Sequence, residues 1–239
     1  MLDNQYNNNP FSYGDASPKA LTDTVSSTMK RVYVKMTLGL VLTAFVALFC
    51  SSNPSYISFY ITHRWFSFAL IIAEFALLFL INGRIKQISD SMASTFFYLF
   101  AAVNGAMLST IFLAYSTTAI TKTFFITAGT FGAMSVYGYF TPNDLSRMGS
   151  YLVMALFGLI IASLVNIFLK SSTLDWIVSI AGVIIFIGLT AWDTQQIKAM
   201  AQMAPSTAVS RLATIGALSL YLDFLNLFLF LLRIFGNRD

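Results

Sequence analysis

The chain has 239 residues, of which 57% are hydrophobic and only 10% charged, which is too apolar and too poor in charge for a soluble domain of this length. The net charge of +4 comes mostly from Lys and Arg near the ends of apolar runs, where basic side chains set orientation and meet anionic headgroups. It therefore points to a lipid bilayer and not to nucleic acid. The one cysteine, Cys50, closes no disulfide within the chain and is read as packing.

From the N-terminus, the first thirty residues are polar, rich in Asn and Ser, and hold no apolar run that would make a signal peptide. Residues 1–30 are expected to be a disordered cytoplasmic tail, and residues 31–239 one transmembrane domain. The apolar stretches that follow are about 18 to 24 residues long, the length a helix needs to cross roughly 30 Å of hydrocarbon. The dyad alternation of a membrane β-barrel is absent, so helices are the structure that satisfies the backbone in lipid. Spans are predicted near 32–50, 65–82, 95–115, 122–141, 148–169, 175–197 and 213–235. The fold class is thus an all-α integral membrane protein with seven transmembrane helices.

The breaks between spans fall at Ser51 to Arg64 with Pro54, Gly83 to Ser91, Ser116 to Thr121, Thr141 to Arg147 with Pro142, Lys170 to Thr173, and Lys198 to Arg211 with Pro205. Connections this short make neighbouring helices antiparallel. Lys19, Lys30, Arg31, Lys35, Arg84, Lys86, Arg147, Lys198 and Arg211 then share the side of the N-terminus. Arg64, Lys122, Lys170, Arg233 and Arg238 lie on the other. The excess on the first side predicts a cytoplasmic N-terminus and, with an odd number of spans, a C-terminus on the opposite face.

The fourth span carries Ala128, Gly129, Gly132, Ala133, Ser135 and Gly138, a small-residue face that suits close helix packing. The functional alternative is a backbone-lined pathway.

Besides Asp175 at the very edge of the sixth, three carboxylates lie within the proposed spans: Glu74 in the second, Asp193 late in the sixth and Asp223 in the middle of the seventh. An ionised acid at the bilayer centre costs on the order of 3 kcal/mol or more, so such residues face the protein interior and mark ion or proton paths. The plainer alternative for Asp223 is a protonated acid bonded to Ser219 or Asn226, both at helical spacing. Gly216, Ser219, Asp223, Asn226, Phe230 and Arg233 form one seam down the last helix. Counting residues from the cytoplasmic ends puts Glu74 and Asp223 each about 15 Å deep, at the midplane. Asp193 and Arg84 fall near the cytoplasmic helix ends, where they can pair, with headgroup snorkelling the alternative for Arg84. This counting separates Asp193 from Asp223 by up to about 10 Å along the membrane normal.

Several chemistries lack their residues. His63 is the only histidine and is predicted to lie in a loop, which leaves no zinc site and no Ser-His or Cys-His pair at membrane depth. No Gly-rich phosphate loop is present. The last span has no lysine for a retinal Schiff base. The paired aspartates lack the Gly-x-Gly-Asp pattern of intramembrane aspartyl proteases. The chain is therefore expected not to be an enzyme and to have no resident cofactor.

The run from Ala217 to Phe228, ALSLYLDFLNLF, together with Ala191 to Ile197, AWDTQQI, closely resembles the Bax inhibitor-1 family in its bacterial form. The hydropathy outline from about residue 30 to 236 matches that family's length. The resemblance implies six helices around the C-terminal one, an inner (plasma) membrane location, calcium leak activity, and a di-aspartyl pH sensor at Asp193 and Asp223. It also implies a latch from a second-helix Arg to the sixth-helix Asp, for which Arg84 is the nearest match.

Two carboxylates close together in a poorly solvated site cannot both ionise easily and titrate jointly. Protonation is then expected to weaken the Arg84 contact and open a route past the last helix. Calcium prefers oxygen ligands, and Asp193, Asp223 and Glu74, helped by Asn226 and Ser219, offer a sparse set suited to weak, transient binding. Two alternatives stand beside this one. The first is a regulator or inhibitor of a membrane-anchored quality-control protease, acting through the cytoplasmic tail. The second is a proton-coupled carrier of a small solute using the same acids, although no repeated broken-helix pattern supports it.

Overall fold

The computed structural model describes residues 18–84, 87–204 and 208–236, with side chains from residue 22 onward and excepting that of Arg84. The tail before residue 18, the side chains of Lys19 and Arg84, and Lys86, Pro205 and Arg238 lie outside the described residues. Every regular element among the described residues is a helix. In chain order these are α1 (Pro18–Ser51), α2 (Pro54–Thr62), α3 (Arg64–Arg84), α4 (Asp90–Leu108), the single turn α5 (Ile111–Ala114), α6 (Thr117–Phe140), α7 (Ser146–Leu169), α8 (Ser172–Met203) and α9 (Val209–Phe235).

α1, α3, α4 with α5, α7, α8 and α9 are six segments long and apolar enough to cross a membrane. The sequence counted a seventh at 122–141. The helix there, α6, has 24 residues and hence the length of a crossing, about 36 Å. Its Thr, Gly, Ser and Tyr residues keep it out of the strongly apolar set.

Two further boundaries differ from expectation. α1 begins at Pro18, so residues 18–30, assigned to the tail on composition, are helical. Val25, Thr28, Met29, Val32 and Met36 form a buried stripe at three-four spacing, which the flanking Ser, Thr and charged residues hide from a hydropathy count. The expected break from Ser51 to Arg64 contains α2, capped by Asn53, whose side chain accepts from Ser55 N at 3.1 Å and Tyr56 N at 3.3 Å.

α9 is the most buried of the six spans, with 67% of its most apolar window inside the protein. It packs against α1, α4, α6 and α8, while α3 packs on α4 and α7 on α8. A helix that is apolar nearly all round is stable only where neighbours cover it. Tyr221, fully buried, ties α9 to α1 and α4: its hydroxyl lies 2.7 Å from Thr43 Oγ1, and its ring meets Phe97 and Phe100 edge-on. Thr43 donates to the carbonyls of Gly39 and Ala101 at 3.0 and 2.9 Å. With that one proton committed, Tyr221 is the donor to Thr43.

Candidate functional site

The segment Ala191–Ile197 of α8 is placed by contacts that account for most of its residues. A Cβ on Gly138 of α6 would run into the Ala191 backbone, so the two helices meet almost backbone to backbone there. Gly149 of α7 likewise leaves the space that the Trp192 ring fills, and Ile197 covers Gly216 of α9. Gln195 clamps the α6–α7 turn: its Oε1 accepts from Leu145 N and its Nε2 donates to Asn143 O, both at 2.8 Å. One turn beyond, Lys198 Nζ donates to Tyr139 O at 2.6 Å and stands 4.8 Å over the Tyr139 ring. Asp193 is therefore carried on a helix face locked on three sides.

On α9 the least buried stripe includes Ser219, Leu222, Asn226, Phe230 and Arg233, which keeps four members of the predicted seam and has Leu222 where the seam had Asp223. Gly216 is buried against Ile197 instead. Asp223 flanks this stripe and is 5% exposed. Its carboxyl stands beside that of Asp193 in one cleft, a placement in which the two acids can hold one proton between them. Among the described residues no N–H or hydroxyl donates to the buried Asp223 Oδ2.

This placement overturns the sequence-based depth estimate and, with it, the two separate polar layers. α8 runs for 32 residues, about 48 Å, well beyond its predicted end at 197. Residue counting from that end therefore misplaced Asp193.

Both aspartates line a cleft of about 720 Å³ bounded by α3, α7, α8 and α9. Ser219 and Asn226 face it, with apolar walls from Phe75, Leu78, Leu156, Ile160 and Leu189. Asn226 spends an amide hydrogen on Leu222 O at 2.8 Å, so its contribution to a cation is its oxygen. Glu74, half-buried on α3, does not line the cleft and lies instead within electrostatic reach of Tyr221. Arg84 ends α3, and its side chain lies outside the described residues. Among the described residues no three His, Cys, Asp or Glu side chains gather in a metal-holding group. A cation in the cleft would thus meet two carboxyl groups and neutral oxygens.

In the sequence Lys35 stands out only as an orientation charge. Its Nζ donates to Ser94 of α4 and Thr214 of α9, both at 2.6 Å, and Asp90 beside it holds Arg211 Nε at 2.8 Å. This polar knot joins α1, α4 and the start of α9. The available signal was a lysine set between Val34 and Met36, inside an apolar helix. Gln195 carries no such signal beyond its place in the AWDTQQI run.

The small-residue face of α6 divides. Gly138 serves close packing, while a Cβ on Gly129 or Gly132 would meet nothing within 4 Å.

A family model described as "Inhibitor of apoptosis-promoting Bax1" matches residues 25–239. The chain is 48% identical over 213 residues to the inner membrane protein YbhL of Escherichia coli, covering 88% of this chain and 91% of that one. It is 45% identical over 212 residues to a protein of Borreliella burgdorferi, covering 88% and 91%. With a membrane protein of Streptococcus pyogenes it shares 36% over 211 residues, covering 87% and 92%.

Proposed function

This chain is an integral membrane protein that belongs to the Bax inhibitor-1 family, and from that membership we propose that it is a pH-sensitive calcium leak channel of a bacterial inner membrane. The observation that carries the reading is the placement of Asp193 and Asp223 together in the wall of one cleft of about 720 Å³. The homologue from Escherichia coli, an inner membrane protein by name, supports the location.

In this reading seven helices cross the bilayer, α6 included because it packs along α8 and α9. The other six stand around α9, with the N-terminus cytoplasmic and the C-terminus on the opposite side. Asp193 and Asp223 share protons as one unit. Deprotonated, the pair attracts Arg84 at the end of α3 and holds the cleft shut. Protonated, it loses that attraction and α3 is free to move, opening a route past α9. Calcium is the cargo, and it passes with most of its water retained, touching the Asp193 and Asp223 carboxyls, Ser219 and Asn226. Glu74 supports the site through Tyr221.

The test is calcium flux into liposomes holding the purified protein, across a pH series, with Asp193→Asn and Asp223→Asn beside wild type. Flux that varies with pH in wild type alone supports the proposal. Flux no greater than in empty liposomes removes it and favours the regulator of a membrane-anchored protease.

A further inference from the structure

The dyad cleft does not end at the dyad. A second, smaller cavity of about 310 Å³ shares Ser163 and Ile167 with it and is otherwise lined by Asn166, Asp175, Val178 and Arg233. These residues sit where α7 ends, α8 begins and α9 ends, so this cavity lies at the face of the bundle opposite the start of α1. From Asp223 to Arg233 is ten residues of helix, about 15 Å, with Asn226 and Phe230 between them on the cleft side. The walls change along that line from mainly apolar to polar, as expected where a path leaves hydrocarbon depth.

Arg233 is held loosely at this mouth. Its guanidinium Nη1 is 3.9 Å from Asp175 Oδ1, at the limit of an ion pair, and both side chains are about two-fifths exposed, 41% and 38%. Its other partner is the Phe230 ring, 5.4 Å away. Phe230 is itself fixed, since its ring fills the space left by Gly182 and stacks on Phe186. The remaining neighbours are committed to the α7–α8 turn. Asn166 Oδ1 accepts from Ser171 N at 3.0 Å, and Lys170 takes the left-handed conformation, φ 48, that makes the reversal tight. Among the described residues the two charges of this frame, Arg233 and Asp175, are held to one another only by that 3.9 Å pair.

We propose that this polar cavity is the exit of the dyad cleft on the face away from the N-terminus, with Arg233 its charge barrier and Asp175 the counter-charge that draws the guanidinium aside. The inference rests on the leak reading for its cargo and on geometry alone for the opening. A positive charge at a narrow mouth raises the energy of an approaching divalent cation, and a carboxylate beside it lowers that energy. The two partners therefore act with opposite sign. An ion pair that merely braced the helix ends would, on losing either partner, change flux in the same direction.

The experiment compares Arg233→Gln, Arg233→Lys and Asp175→Asn in the liposome assay. Arg233→Gln is expected to raise calcium flux on the order of tenfold with the pH dependence retained, Arg233→Lys to stay near wild type, and Asp175→Asn to lower flux. Loss of flux in both Arg233→Gln and Asp175→Asn would overturn the proposal. A second readout needs no calcium: in a Cys50→Ser background, Ser163→Cys is labelled with a membrane-impermeant cationic thiol reagent, with and without Arg233→Gln. Faster labelling with Arg233→Gln supports the mouth, and equal rates count against it. If wild type carries no calcium at all, the leak reading falls and the labelling alone decides the mouth.

Discussion

Asp223 of α9 and Asp193 of α8 set their carboxyl groups in one cleft inside the bundle, and no hydroxyl or N–H among the described residues donates to the buried Asp223 Oδ2. Two acids placed together in this way behave as one titrating unit. Asp193→Asn and Asp223→Asn should therefore each abolish the pH response of flux, and the double variant should add nothing to either. Additive effects in such a double-mutant cycle would show two independent sites.

The Tyr221–Thr43 bond joins α9 to α1 at full burial. Tyr221→Phe removes the donor and leaves Thr43 with its carbonyl acceptors, at a cost of about 1 kcal/mol. Thr43→Val strands the buried Tyr221 hydroxyl and should cost more, about 1–3 kcal/mol. Thermal unfolding in detergent would rank the two, and the reverse order would contradict the assigned donor.

Gly138 and Gly129 stand nine positions apart on α6 yet differ in what a methyl group would meet. Gly138→Ala would drive its Cβ into the Ala191 backbone, whereas Gly129→Ala would enter open space. The first should destabilise by at least about 1–3 kcal/mol. The second should be neutral or slightly stabilising, since Ala favours helix over Gly. Equal effects on melting temperature would refute the α6–α8 contact.

Gln195 holds the α6–α7 turn from α8 through Leu145 N and Asn143 O. Gln195→Ala should speed amide exchange at residues 143–146 without changing exchange in α9. Within that turn, Asp144 accepts from Ser146 N at 2.9 Å, and the Ser146 backbone and side chain hold its carboxyl below the ordinary value. A folded-state pKa that is depressed gives stability present above the unfolded value, about 3.9, and lost as pH falls through the folded one. Exchange at Ser146 N should accordingly rise, relative to neighbouring amides, only in that acidic range.

Much of the bundle was legible in linear order. The long apolar runs located α3, α4, α7, α8 and α9, because crossing hydrocarbon requires about twenty residues with no backbone group left unpaired. Boundaries failed where local composition hid a tertiary role. Residues 18–30 looked like tail because their buried stripe is interleaved with Ser, Thr and charge, and α6 lost hydropathy to the small and polar residues that let it approach α8. The seam from Ser219 to Arg233 was visible as a three-four pattern, whereas what each member faces was not.

The sequence by itself determined that this is a helical membrane protein whose chemistry is confined to a few buried polar groups, since apolar run length and rare intramembrane acids are local properties of the chain. Only the tertiary structure decided that Asp193 and Asp223 share one cleft, that Glu74 does not line it, that Lys35 bridges three helices, and that Arg233 lines the cavity next to it. Those outcomes depend on helix length, tilt and rotation. Glycine-to-backbone contacts between helices, such as Gly138 on Ala191, set these geometric variables, and no residue count along a single chain contains them.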